Sequence, residues 1–173
     1  MDNNRSINHQ FPAPVIERVR HELRRRSLTV ESVTDITPGM RRIVLTGEDL
    51  ADFTSLAPLP AIGRRIEESG ADTTIVAIAA VAGPEEEQSF ETAAALTTRW
   101  VYRPLFNVTD AEPLIAALAG IDIVPQTFVW IAAEASVVRS VRAYRVEERG
   151  YPLSWIKASG YWVKGKADTT EKF

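Results

Sequence analysis

Glu134-Ala135-Ser136 stands where the apolar run Thr127-Phe128-Val129-Trp130-Ile131-Ala132 gives way to a segment of helical spacing. In a parallel sheet, ligands collect at the carboxyl edge of the strands, and the free N–H groups of the following helix suit a phosphate. Ser136 equally suits a plain helix cap. Other chemistry is sparse. His9 and His21 are the only imidazoles and fall in no metal-ligand spacing, and the chain has no cysteine. Glu85-Glu86-Glu87 has no histidine nearby, and three consecutive side chains do not converge easily on one ion, so the run reads as a solvated loop. No metal site is expected. Arg24-Arg25-Arg26 offers either an anion site or a solvated helix end. There is no Gly-x-Gly-x-x-Gly fingerprint for a dinucleotide pyrophosphate.

These residues need elements to place them. Val15, Ile16, Val19 and Leu23 share one face of a helix over 14–25. The β-branched stretch 27–36, the turn Thr37-Pro38-Gly39-Met40 and the stretch 41–46 read as a hairpin, with 47–53 as a loop or single turn. A helix from Pro60 leads to a strand at 74–81, and a further strand is expected at 96–103. Asp110 caps a helix running to Ala119, with Pro113 in its first turn. The strand at 127–132 runs into a helix whose Val137, Val138, Val141 and Tyr144 share a face, ended by Gly150. A last short strand is expected at 153–157. Strands alternating with helices predict an α/β fold with a parallel sheet covered on both faces.

Composition excludes several classes. At 173 residues, 45% hydrophobic and 25% charged, the chain can bury one substantial core or two small ones. A net charge of -3 argues against a general nucleic-acid binder, so no nucleic-acid partner is expected. No apolar stretch approaches the roughly 20 residues needed to span a bilayer, and no apolar h-region follows the N-terminus. The expectation is a soluble, cytoplasmic protein without a membrane span.

Six stretches taken together are more specific than any one motif. "TPGMRRIVLTGEDLADF", "LPAIGRRIEE", "RWVYR", "VWIAAEASVVRSVRAY", "EERG" and "ASGYWVKGKAD" resemble, in unbroken order from Leu28 to Asp168, successive parts of the siderophore-interacting protein family. That resemblance implies an NAD(P)H- and FAD-dependent ferric-siderophore reductase: a flavin-binding β-barrel followed by a Rossmann-like nucleotide-binding domain of ferredoxin-reductase type. It implies cofactor contacts at Glu134, Ala135 and Ser136, with Ala133 where a glycine is usual. Arg103 on the "RWVYR" strand would pair with an NAD(P)H phosphate, or is a plain surface arginine. Tyr161 and Trp162 would cover a cofactor ring, or anchor the tail. Lys157 and Lys164, with Lys166, would attract an anionic ferric siderophore through their long-range field. Trp100 reads as core.

The same comparison divides the chain. Residues 1–58 match an N-terminal helix and a remnant of the FAD-binding barrel, and 59–173 the NAD(P)H-binding-like α/β domain. Most of the barrel, its Arg-x-Tyr-Ser/Thr signature and the first strand of the α/β sheet have no counterpart here. The junction Pro58-Leu59 therefore reads as an internal deletion, and the stretch 43–49 is expected to stand in for the lost strand, beside Val76 and Val129. Two functions follow. One is electron transfer from NAD(P)H through FAD to chelated Fe(III). The other is an inactive remnant that at most binds NAD(P)H or a protein partner.

Overall fold

The computed structural model describes residue 12, residues 24–52 and residues 61–173. His9, His21, the junction Pro58-Leu59 and the helix expected over 14–25 lie outside them, apart from Arg24 and Arg25, neither of which is helical. The chain divides into two compact units, one of Glu17–Tyr102 and one of Met1–Ile16 with Arg103–Phe173.

In the first unit, β1 (Thr29–Thr37) and β2 (Met40–Thr46) pair antiparallel, from Thr29 opposite Thr46 to Thr37 opposite Met40. Both strands are exposed along their whole length except at the half-buried Thr37. Val33 and Ile43 keep 52% and 56% of their surface in solvent. One buried carboxylate holds the turn. Glu86 accepts a hydrogen bond from the Gly39 N–H at 2.6 Å and another from the Thr37 hydroxyl. The solvated-loop expectation therefore holds for the exposed Glu85 and fails for Glu86. The turn presents donors that no strand satisfies, and an ionised carboxylate is the strongest acceptor available. A Cβ at Gly39 would sit 3.0 Å from Glu86 Oε1, so a larger residue there would make the carboxylate shift. At the open end, Arg24 and Arg26 both bond Asp52, and Ser27 N–H donates to the Asp49 carboxylate at 2.8 Å.

Further along this unit, α1 (Ala61–Glu67) leads to β3 (Thr74–Val81), which pairs parallel with β4 (Ala95–Tyr102) in unbroken register. Ile66 is buried in α1, and the Thr92 hydroxyl donates to its carbonyl, tying the helix end to the approach of β4.

In the second unit the first helix begins within a residue of where the sequence places it. The Asp110 carboxylate accepts from Glu112 N–H at 3.0 Å at the start of α2 (Glu112–Ala119), with Pro113 in the first turn. Then β5 (Val129–Glu134), α3 (Ala135–Ala143) and β6 (Ile156–Trp162) form a strand-helix-strand unit whose strands are parallel, and β7 (Glu171–Lys172) adds antiparallel to β6. Val137 and Val138 on α3 are fully buried, alongside Ile131, Val141 and Ala158. Each such valine contributes about 1.5–3 kcal/mol. The strand expected at 153–157 is displaced: Leu153–Trp155 is a short 3-10 turn, and the strand runs from Ile156 through Trp162. A Cβ on Gly160 would lie 2.8 Å from Ala135 Cα, so glycine lets β6 pass against the start of α3.

The fold is thus mixed α/β, built of small sheets. The described strands form three of them, β1–β2, β3–β4 and β5–β6–β7, rather than the single parallel sheet expected. The proposed substitution by residues 43–49 is overturned. Val44 pairs with Ser32 in its own hairpin, and Val76 and Val129 lie in separate sheets. A two-residue turn closes at little entropic cost, and that local pairing wins over a distant parallel one.

Candidate functional site

The carboxyl edge of β5 and β6 gathers most of the residues that the sequence singles out. Glu134, 3% exposed, ends β5 and caps α3 with its own side chain. Its Oε2 accepts from Ser136 N–H at 2.7 Å, from Val137 N–H at 3.3 Å and from the Ser136 hydroxyl. Its Oε1 accepts from Lys164 N–H at 3.2 Å. Burial alone would push this carboxyl up; the Ser136 hydroxyl and the N–H groups of Lys164, Ser136 and Val137 outweigh it and hold the group below its ordinary range. Sequence reasoning offered Ser136 as the cap. The structure reverses the pair, with Ser136 donating and Glu134 accepting.

Lys164 links this junction to the segment after β4. Its Nζ donates to the Phe106 carbonyl at 3.1 Å. Arg103, in the same segment, donates to the Asp110 carbonyl ahead of α2. Leu105 and Phe106 are 70% and 75% exposed, an apolar pair beside a lysine contact that no sequence motif announces. Trp162 pairs with Glu134 across a register shift, because β6 carries one residue more than β5 at Tyr161. Trp162 itself is 41% exposed.

Lys157 belongs to a second group, centred on Trp130. Trp130 and Lys157 are register partners on β5 and β6, and Lys157 Nζ sits 5.1 Å from the Trp130 ring centroid. Such a cation over an indole face is held by the ring quadrupole. Burial pushes the Tyr161 phenol up, and the neighbouring Trp130 indole acts in the opposite direction. Trp130 stood in the sequence only as part of an apolar strand; its pairing with Lys157 follows from strand register. Strand alternation puts Ile131 and Ala158 on the opposite face, where they are buried in the core with α3. A lysine, an indole and a phenol thus share one half-buried strip.

Can the α3 N-terminus take a pyrophosphate? The donors that would cradle it, Ser136 and Val137 N–H, already serve the Glu134 carboxylate. A phosphate there would meet a like charge, so the junction does not fit that group. Nor does the hairpin, open to solvent on both faces, wall a site for a flavin ring.

A family model described as "Siderophore-interacting protein" matches residues 50–165. Uncharacterized proteins of Mycobacterium bovis and Mycobacterium tuberculosis are 33% identical over 120 residues, covering 64% of this chain and 42% of the relative. A solved structure described as a siderophore utilization protein from T. fusca aligns with a TM-score of 0.57 at 29% identity, over 65% of this chain and 43% of that one. The chain therefore spans about two-fifths of the length of the relatives it matches.

Proposed function

We propose a function from one premise, that the chain belongs to the siderophore-interacting protein family: it engages an anionic ferric siderophore, in the family's setting of reductive iron release. On this reading Lys157 supplies the positive charge, and Trp130, Tyr161 and the exposed Trp162 supply aromatic surface against the chelate or a cofactor ring. The observation that carries it is the Lys157–Trp130 stack beside Tyr161, a cationic and aromatic strip at one sheet face. An iron chelate bearing anionic oxygens and flat ligand arms matches both features. The domain reading continues with it: residues 59–173 are the nucleotide-binding-like part and residues 1–58 the barrel remnant.

In the family reaction NAD(P)H and FAD would supply the electrons. Arg103 spends one N–H on the Asp110 carbonyl and keeps further donors in its fork for a phosphate. Glu134 and Ser136 position the chain rather than hold phosphate, since their groups are engaged with each other and with Lys164. A second reading, ligand binding without turnover, is favoured by the mismatch of the α3 N-terminus and the hairpin to these cofactors.

Purified protein decides between them. A flavin absorbance band, with NADPH oxidation coupled to reduction of a ferric chelate, is the outcome for the reductase; colourless protein without NADPH oxidation leaves the binding role. Siderophore engagement itself is read by tryptophan fluorescence. Quenching by a ferric siderophore should weaken severalfold in Lys157→Glu. Equal quenching in both proteins removes the site from the strip.

A further inference from the structure

Beyond α3 the chain winds wider than an α-helix. Tyr144–Glu148 forms a π-turn, with Arg149 N–H donating to the Tyr144 carbonyl at 3.1 Å and Tyr151 N–H to the Arg145 carbonyl at 2.8 Å. Wide turns of this kind are rare and recur at functional sites. Arg145 sits inside it, only 5% exposed. Its guanidinium carbon lies 4.9 Å from the Tyr151 ring centroid, and Tyr151 in turn donates its hydroxyl to the Thr127 carbonyl ahead of β5.

Arg145 lacks a counter-charge. Among the described residues no carboxylate pairs with it, and its buried Nε has no acceptor. Arg142, one helical turn earlier, also buries an Nε without an acceptor. Glu147 and Glu148 lie in the same turn but are exposed and make no bond to it. The charges that do act on Arg145 include a like one, Arg149; burial first, then Arg149, pushes the guanidinium's pKa down. An arginine does not relieve such burial by losing its proton. A buried cation with no opposite charge beside it is costly to retain, and the face of the Tyr151 ring offsets only part of that cost.

We propose that the end of α3 binds a phosphate group, with Arg145 as its main ligand and Arg142 and Arg149 supplying further positive charge. A guanidinium fork offers two parallel N–H donors to two phosphate oxygens. Several arginines suit a dianionic phosphate better than a single carboxylate charge. The place is separate from the β5–α3 junction: eleven residues of helical rise put Arg145 about 16 Å from Glu134, toward the opposite edge of the sheet. The proposal does not depend on a siderophore, flavin or nicotinamide reading.

Thermal unfolding of the full chain tests it, with inorganic phosphate, phenyl phosphate, or sodium chloride at matched ionic strength. At tenfold its dissociation constant a phosphate ligand should raise Tm by roughly 3–6 °C over chloride. A shift with inorganic phosphate assigns the free ion; a larger one with phenyl phosphate assigns the phosphate group of a bigger molecule. Arg145→Leu should raise Tm in phosphate-free buffer, because it removes the unpaired charge, and should lose the phosphate shift. The exposed Arg149→Gln should not lower Tm in phosphate-free buffer, since it removes a like charge from beside Arg145, and should reduce the phosphate shift. The proposal is overturned if neither phosphate shifts the wild type, or if Arg145→Leu shifts as much as the wild type does.

Discussion

Glu134 shows how a residue can be singled out for the right place and the wrong task. Its position between an apolar strand and a helix was plain in the spacing, but a side chain folding back onto its own helix cannot be read from spacing. Glutamate is not among the usual helix-capping residues. Its depressed pKa has a signed consequence. The carboxylate's contribution is fully present above its ordinary value of 4.5 and disappears as pH falls through the lower value of the folded protein. Glu134→Gln should therefore cost about 1–2 kcal/mol in urea unfolding at pH 7, and the gap from wild type should close on acidification. A gap independent of pH would assign the loss to packing. Gly160→Ala offers a second check at this scale. The added methyl would lie 2.8 Å from backbone at Ala135, which does not yield, so a loss of about 1–3 kcal/mol is expected by the same measurement.

Among the elements, those with a strong local period were legible. β3 falls at 74–81 as expected, β4 is shifted by one residue, and Asp110 marks the start of α2. The short apolar run at 153–157 misled because five residues cannot separate a strand from a tight turn. Strand partners were the larger failure: which strands join one sheet is set by contacts distant in sequence, and period-2 alternation says nothing of them. The clasp on the hairpin was hidden for the same reason, since Glu86 is 47 residues from Gly39. Glu86→Ala should release the turn, and hydrogen exchange at the Gly39 amide should accelerate while the β5 and β6 amides stay protected. Unchanged exchange at Gly39 would mean that the carboxylate contributes nothing to holding the turn.

For the molecule as a whole, family membership was readable because six stretches keep their order, and the chain spans 42% of the length of the curated relatives it matches. Among the described residues no helix is long and apolar enough to cross a membrane. The net charge of -3 offers little repulsion between copies, and a hairpin with Val30, Val33, Ile43 and Leu45 in solvent presents an apolar surface with two edges that no described strand pairs. Ile43→Lys should lower concentration-dependent light scattering without lowering Tm. Scattering equal to wild type would place the association elsewhere. The hairpin also has a history during translation. Two strands alone are marginal in water, and the acid that secures their turn follows 47 residues later. At about 5–20 residues per second, roughly 2–8 s separate the completion of β2 at Thr46 from the addition of Glu86, so the strands exist before the clasp that fastens them.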